Sequence, residues 1–286
     1  MNNCGPQNAA LVFMHIPKTG GITLRRMLKM HIACWPPSNL LNHDLILGKY
    51  KIQNFAERLE HIRTMRENQK RRIKYFEGHF GFGIDSYFLT PSNYFTLLRD
   101  PVERTISTYF HLQKPEVMER YDIPRLDFKS LMKMGKAWGG THGHYFDNCQ
   151  VRYLAGEGGR PVEVEFGKCD SGMLDLAKRR LREKFITFGL TEYFDESVVF
   201  LMGELGWNFG FYVTSNVNKA RKPASELDQD DLEFVRQHNA LDLDLYDWAL
   251  SIFQERIAEA GDRFSKEVAR FRRFNGMVNS LVGLVV

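Results

Sequence analysis

The sequence predicts an α/β fold in which a central parallel sheet is flanked by helices. Short, continuous apolar segments, typical of strands buried on both faces, alternate with amphipathic helical segments. The chain has 286 residues, of which 43% are hydrophobic and 13% aromatic, enough to cover both faces of a sheet. Because strands and helices alternate along the chain, parallel strand order is favoured.

The first strand–helix unit lies near the N-terminus. Residues 11–16 (LVFMHI) form a continuous apolar segment, and Pro17 ends it. A turn containing Gly20 and Gly21 follows, and residues 22–32 place apolar side chains at helical spacing with basic residues between them. We therefore expect a strand, a glycine-containing loop and a helix in this order.

The second unit has the same order. Residues 94–98 (YFTLL) predict a strand, and the helix after it extends to about residue 112. Asp100 is expected as the N-cap, Pro101 as the first helical residue and Glu103 as the third, which is a capping box with Asp in place of Ser or Thr. The start of this helix is thus well defined by the sequence.

The rest of the chain continues the alternation around one irregular region. Strands are expected at residues 73–76 and 185–190, with an amphipathic helix before the former and a helix after the latter. Residues 114–168 are rich in Gly, His, Pro and aromatic residues without a sustained period, so loops, short helices and a substrate-facing lid are expected there. From residue 228 to about 275 the pattern is helical.

Composition limits the possible partners and the compartment. The chain has 39 Lys and Arg against 35 Asp and Glu, a formal charge of +4, which disfavours a nucleic-acid-wrapping protein. The sequence contains no uninterrupted stretch of about 18 apolar residues, so no membrane span is expected. The four cysteines are widely spaced, without a CxxC pair, and the N-terminal segment does not resemble a signal peptide. We therefore expect a cytoplasmic protein.

The loop of residues 17–23 (PKTGGIT) has the chemistry of an anion site. Glycines let the backbone approach a ligand, the N–H groups of a helix N-terminus face an anion, and Lys18 with the hydroxyls of Thr19 and Thr23 adds donors. It is not a Walker A loop, because the lysine precedes the glycines. The pattern is consistent with a phosphate or sulfate site and equally with a plain tight turn.

A second basic residue favours the anion site. Arg99 follows a predicted strand, at the sheet edge where α/β proteins bind ligands, and Ser107 lies two turns into the next helix. Two anion sites at two strand ends suggest a nucleotide with phosphates at both ends. The alternative is that Arg99 is structural and that Asp100 and Arg104 form a local ion pair.

These segments resemble a known family. Residues 15–23 (HIPKTGGIT) are similar to the 5′-phosphosulfate loop, and residues 98–107 (LRDPVERTIS) to the 3′-phosphate motif, of sulfotransferases that use 3′-phosphoadenosine 5′-phosphosulfate (PAPS). The likeness is nearest to the branch containing heparan sulfate 2-O-sulfotransferase. Weaker similarities occur at residues 78–80, 148–154, 188–192 and 242–246.

The resemblance implies a sulfotransferase fold, related to P-loop nucleotide kinases. Because it extends from about residue 11 to about residue 255, it implies one domain over residues 1–286, with a core at about 11–255 and a helical tail at about 256–286. It also implies PAPS as the co-substrate and a hydroxyl-bearing acceptor, either a glycan or a small molecule.

The resemblance further implies roles for individual residues. Lys18 would stabilise the leaving phosphate and His79 would be the general base. The residues expected to contact the co-substrate are Lys18, Thr19, Gly20, Gly21, Ile22, Thr23, Arg99, Ser107, Asn218 and Lys219. Of these, Thr19 to Thr23 would hold the 5′-phosphate through the backbone, Arg99 and Ser107 the 3′-phosphate, and Asn218 and Lys219 would close over the nucleotide.

Sulfuryl transfer needs positioning, a base for the acceptor hydroxyl, and positive charge at the leaving oxygen. Histidine, with an ordinary pKa of about 6.5, can take a proton near neutral pH. We expect no metal, since the sulfuryl group carries less charge than a phosphoryl group and a lysine with helix dipoles can stabilise it. The spacing of His142, His144, Asp147 and Cys149 matches no established zinc pattern. A nucleotide kinase and a non-catalytic nucleotide- or glycan-binding module are the alternative functions.

Overall fold

Within the residues described by the computed structural model, a sheet of four parallel strands has the order β2-β1-β3-β4. The structure describes residues 9–33, 55–137, 143–208, 210–213 and 227–283. The strands are β1 (Ala10–Met14), β2 (Tyr75–Gly78), β3 (Ser92–Leu98) and β4 (Phe185–Leu190). The predicted α/β fold with a central parallel sheet is confirmed.

Helices surround this sheet. They are α1 (Gly21–Ala33), α2 (Phe55–Thr64), α3 (Glu67–Lys70), α4 (Pro101–Leu112), α5 (Pro115–Tyr121), α6 (Phe128–Ala137), α7 (Cys149–Leu154), α8 (Ser171–Glu183), α9 (Phe194–Glu204), α10 (Gln229–His238) and α11 (Ala240–Gly283). Among the helices of the described residues, none is both long and apolar enough to cross a bilayer.

Both faces of the sheet are buried, as the continuous apolar strands predict. In β1, Val12 and Met14 belong to one apolar cluster, which also contains side chains of α8 and α11. Leu11 and Phe13 point the other way and pack with Leu24 and other side chains of α1 and α9. The alternation places the ends of the strands between two helical layers.

The predicted elements differ from the observed ones mainly at their ends. The strand expected at residues 73–76 forms two residues later, because Tyr75 to Gly78 pair with β1. The helical region beyond residue 228 is divided, since α10 ends before Asn239 and α11 is interrupted at Gly261, where φ is 63° and ψ is −156°. The irregular region contains the short helices α5, α6 and α7.

Candidate active site

The strand order defines a crevice between the ends of β1 and β3. Along the chain, β1 is followed by β2 on one side of it, whereas β3 and β4 lie on the other side. Such a reversal separates the loops that leave neighbouring strands, and open α/β sheets bind ligands there. The loop from β1 to α1 and the loop from β3 to α4 border this crevice, so both predicted anion motifs lie at one sheet edge.

The β1–α1 loop is held in place through its carbonyl groups. The carbonyl oxygen of Lys18 accepts a hydrogen bond from Arg99 Nη1 at 3.0 Å, and that of Thr19 accepts one from the Thr191 hydroxyl at 2.8 Å. In a trans peptide the N–H of the next residue points away from the carbonyl. The N–H groups of Thr19 and Gly20 are therefore directed away from these two donors.

Two residues of this loop have backbone angles in the left-handed region, which few residue types adopt. Lys18 has φ 70° and Gly20 has φ 77°, values that favour glycine. Gly20 and Ile22 are exposed, Lys18 and Thr23 are half-buried, and α1 has no acidic residue in its first turn. These features give a helix N-terminus that faces outward with a lysine beside it, as an anion site requires.

One predicted donor points elsewhere. The Thr19 side chain is fully buried, and its hydroxyl donates to the carbonyl of Ile16 at 2.8 Å. The expectation that this hydroxyl adds a donor to the loop is wrong, because the turn uses its proton to bond the Ile16 carbonyl, two residues after β1. Only the backbone of Thr19 is available for the predicted role.

His79 lies directly after β2 and is exposed. Its Nδ1 is 2.7 Å from the backbone carbonyl oxygen of His15. Since a carbonyl can only accept, Nδ1 is the donor, and in the neutral ring Nε2 is then the nitrogen that accepts a proton. The structure thus fixes both the orientation and the tautomer of the predicted base.

The side chain of His15 contacts both Phe13 and His79. Its buried ring stacks on Phe13 at 5.4 Å between ring centroids and lies 4.3 Å from the ring of His79. Burial, followed by the charges of His79, Arg25 and Lys18, lowers the pKa of His15 well below its usual value. A Cβ atom on Gly21 would lie 2.2 Å from the His15 ring, so only glycine fits there.

Arg99 follows β3 and connects the two loops. Its backbone N–H donates to Gln150 Oε1 and its carbonyl accepts from Gln150 Nε2, both at 2.9 Å. Its guanidinium bonds the Lys18 carbonyl and lies 3.7 Å from Glu103 Oε2. The alternative that Arg99 has a structural role is therefore partly correct, since its own hydrogen bonds bridge the loops.

The start of α4 is occupied by the chain's own carboxylates. Asp100 caps the helix by accepting from the N–H of Glu103 at 2.8 Å, as predicted. The Asp100 N–H donates to Glu192 Oε1 at 3.1 Å, so the second half of the predicted capping box comes from the end of β4. The proposed Asp100–Arg104 pair is not formed, because the buried Arg104 donates instead to the Tyr145 carbonyl.

One face of α4 carries three polar side chains at regular spacing. Glu103, Ser107 and His111 are four residues apart and half-buried, so they share one helix face. Burial and the charges of Lys18 and Lys114 lower the pKa of His111 to about 4, with a smaller contribution from His79. The sequence did not single out His111.

A polar scaffold beneath the crevice supports Arg99. The Asp242 carboxylate accepts from the N–H groups of Gln150 and Val151 at 3.0 and 2.8 Å, and Asn148 Oδ1 accepts from those of Leu241 and Asp242 at 3.0 Å. The starts of α7 and α11 thus cap each other. The weaker family segments at 148–154 and 242–246 therefore act as scaffold.

The end of β4 joins the same scaffold. The Thr191 hydroxyl also lies 2.9 Å from the carbonyl oxygen of Leu98, in addition to that of Thr19, and so connects β3 with the first loop. The neighbouring Glu192 accepts from Tyr246 Oη at 2.8 Å. Neither residue was assigned a role from the sequence, although both lie in a segment noted for its family likeness.

Other predicted residues are placed differently or lie outside the described residues. Asn218, Lys219 and His142 fall in the latter group, so their predicted roles stay predictions. The Asp147 carboxylate pairs with the buried Arg152 and accepts from the Gly167 N–H at 2.9 Å. In the part of the chain that the structure describes, no group of three or more His, Cys, Asp and Glu side chains is arranged to hold a metal ion.

Comparison with known proteins agrees with this geometry. The model of the galactose-3-O-sulfotransferase family matches residues 1–282. The chain is 26% identical over 288 residues to heparan-sulfate 6-O-sulfotransferase 1 of Homo sapiens, covering 86% of this chain and 66% of that protein. It is 27% identical over 279 residues to galactose-3-O-sulfotransferase 3 of Mus musculus, covering 92% and 61%. The chain thus spans less than two thirds of the length of these relatives.

Proposed function

The chain belongs to the galactose-3-O-sulfotransferase family, and on this basis we propose that it transfers the sulfuryl group of PAPS to a hydroxyl of a carbohydrate acceptor. The observation that best supports the proposal is the 3.0 Å hydrogen bond from Arg99 Nη1 to the Lys18 carbonyl. It brings the cationic residues of both loops into one crevice, where a nucleotide with a phosphate at each end would contact both.

The residues of the β1–α1 loop fit the 5′ end of such a co-substrate. The N–H groups of Thr19 and Gly20 point away from the donors that hold their neighbouring carbonyls, and the α1 N-terminus adds its positive dipole end. Lys18 supplies the charge that stabilises a leaving phosphate oxygen. PAPS, when bound, supplies the activated sulfuryl group.

His79 would then act on the acceptor. With Nδ1 donating to the His15 carbonyl, Nε2 of the neutral ring takes the proton of the acceptor hydroxyl. As that proton leaves, the acceptor oxygen forms a bond to sulfur, and the bond between sulfur and the phosphate oxygen breaks. Lys18 stabilises the negative charge that this leaves on the phosphate.

Two other functions make different demands on the same residues. A nucleotide kinase would bind ATP with Mg²⁺, whereas the first loop has its lysine before the glycines, unlike a Walker A loop. A non-catalytic binding module would use Arg99 and Ser107 but not His79. The orientation of the His79 ring by a backbone carbonyl favours the enzyme, because a base needs a defined tautomer.

Transfer of labelled sulfate tests the proposal directly. The purified chain is incubated with [³⁵S]PAPS and a panel of neutral and acidic oligosaccharides, and calorimetry compares 3′-phosphoadenosine 5′-phosphate (PAP) with ADP and with ATP in the presence of Mg²⁺. We expect labelled oligosaccharide and a preference for PAP. A preference for ATP that requires Mg²⁺ would support the kinase, and PAP binding without transfer would support the binding module.

We also propose, from the sequence, that the protein is cytoplasmic.

A further inference from the structure

A cavity of about 590 Å³ lies where α4 ends and α5 begins, outside the residues assigned to the nucleotide. This volume is within the range of about 300–1,000 Å³ that is usual for small-molecule sites. The side chains that give its walls their chemistry are Tyr109, Phe110, Gln113, Lys114, Arg125 and Asp127. The cavity therefore combines aromatic, amide and charged groups.

The cavity lies one helix length from the loop that contains Arg99. Helix α4 starts beside Arg99 and ends at the cavity, about 18 Å away for its 12 residues. His111 lies between the cavity residues Phe110 and Gln113 in the sequence, and the charges of Lys18 and His79 contribute to its lowered pKa. Because Arg99 bonds the Lys18 carbonyl, an acceptor that reacts beside Lys18 and spans several sugar units has the length to reach the cavity.

The uncharged walls of the cavity suit a sugar ring. Tyr109 and Phe110 are half-buried, and the Tyr109 hydroxyl donates to the Leu126 carbonyl at 3.1 Å, which fixes its ring. Aromatic faces pack against the C–H groups of pyranose rings. Gln113 also lines the cavity, and among the described residues its amide nitrogen is buried without a hydrogen-bond partner.

The charged walls favour an acidic sugar. Lys114 and Arg125 contribute two positive charges, and Asp127 contributes one negative charge. The Asp127 carboxylate already accepts from the backbone N–H and the hydroxyl of Ser130, at 2.8 and 2.7 Å, because it caps α6. The two cations are therefore the charged groups with which a ligand carboxylate or sulfate would pair.

We propose that this cavity binds an acidic sugar unit of the acceptor, a few units from the one that is sulfated. This inference rests on the proposed function, because it assumes that the acceptor is a glycan whose reacting hydroxyl lies at His79. It names a specificity site that is separate from both the nucleotide loops and the base.

Calorimetry with two matched oligosaccharides tests the inference. A hyaluronan hexasaccharide, which alternates glucuronate with N-acetylglucosamine, is compared with chitohexaose, which has only N-acetylglucosamine, with and without saturating PAP. The variant is Arg125→Gln, and the control is Arg120→Gln, which removes an equal charge from an exposed position of α5 that does not line the cavity.

We expect the wild type to bind the hyaluronan hexasaccharide more tightly than chitohexaose. Arg125→Gln should weaken hyaluronan binding by about 5–20-fold, as for loss of one charge-assisted hydrogen bond at a partly exposed site, and leave chitohexaose within about twofold. Equal binding of the two sugars, equal effects of both variants, or binding of neither sugar would overturn the inference.

The outcome is distinguishable from failure of the proposed function. If PAP does not bind and no sulfate is transferred, the proposed function fails. Arg125-dependent binding of the acidic sugar in that case would overturn the role of the cavity as an acceptor site. If PAP binds and sulfate is transferred but Arg125→Gln leaves the KM for acidic and neutral acceptors unchanged, the inference alone fails.

Discussion

The loops after β1 and β3 follow the same plan of strand, loop and helix, but they offer an anion different groups. The first turn of α1 has no acidic residue, and the carbonyls of Lys18 and Thr19 are bound by donors from elsewhere. The first turn of α4 has Asp100 as its cap and Glu103 close behind. Carboxylates at a helix N-terminus occupy the position that an anion would take.

The difference suggests a division of work between the loops. In the proposed function, the first loop would bind an anion through its backbone and the α1 dipole, and Lys18 would lie where charge develops. The second loop would bind through the side chains of Arg99 and Ser107, because the α4 N-terminus is already capped by Asp100. Variants near the first loop should therefore change turnover, and variants in the second should change nucleotide affinity.

The largest effect is expected for His79→Ala, which removes the proposed base beside the first loop. Turnover should fall by about 10²–10⁴-fold, the usual contribution of general base catalysis, while PAP affinity stays within about twofold. Added imidazole should restore part of the rate, which a merely structural role would not permit. Turnover like that of the wild type would remove His79 as the base.

The next effect is expected for Lys18→Met, which keeps the side-chain length and removes the charge. Losing one group that stabilises the leaving oxygen should lower kcat by about 10²–10³-fold. Lys184→Met, at an exposed position after α8, is the matched control and should leave kcat unchanged. A change confined to PAP affinity would mean that both loops serve binding alone.

Gly21→Ala tests how tightly the first loop is built. The added Cβ would lie 2.2 Å from the His15 ring, so the free energy of unfolding should fall by about 1–3 kcal/mol and turnover should fall with it. The control is Gly203→Ala, whose Cβ meets nothing within 4 Å in α9 and which should stabilise by about 0.4–1 kcal/mol. Urea denaturation measures both, and equal midpoints would contradict the packing described.

The smallest effect concerns pH and His111, at the far end of α4. The pKa of His111 is lowered from its usual value to about 4, so between these values the unfolded chain binds a proton that the folded chain does not. Stability should therefore rise with pH across this window, and this contribution is lost as pH falls. Groups facing His111 are Lys18, Lys114, Glu116 and His79. The pH slope should be shallower in His111→Gln, and an unchanged slope would contradict the assignment.

Local patterns predicted the fold and the two loops well. The alternation of strands and helices and the Asp100 cap depend on neighbouring residues, and they are confirmed. The sulfotransferase family is confirmed as well. The nearer likeness to the 2-O branch, the single domain and the cytoplasmic location stay predictions.

The hydrogen bonds that hold the site residues in place could not be predicted, because they join distant parts of the chain. Thr191 and Thr19 are 172 residues apart, and Gln150 is 51 residues from Arg99. The Thr19 hydroxyl was misassigned because it can donate either to a ligand or to the Ile16 carbonyl, and the fold of the turn decides which. His111 was missed because helical spacing shows a shared face but not what packs against it.

The division between the loops is tested most directly by a binding cycle with PAP and AMP, which differ in the 3′-phosphate. Calorimetry should show that the wild type prefers PAP by about 1.5–3 kcal/mol, the range for hydrogen bonds to charged groups, and that Arg99→Ala removes most of this preference. Because Arg99 also bonds the Lys18 carbonyl, any loss common to both ligands cancels in the cycle. An Arg99→Ala variant that still prefers PAP as strongly as the wild type would contradict the account.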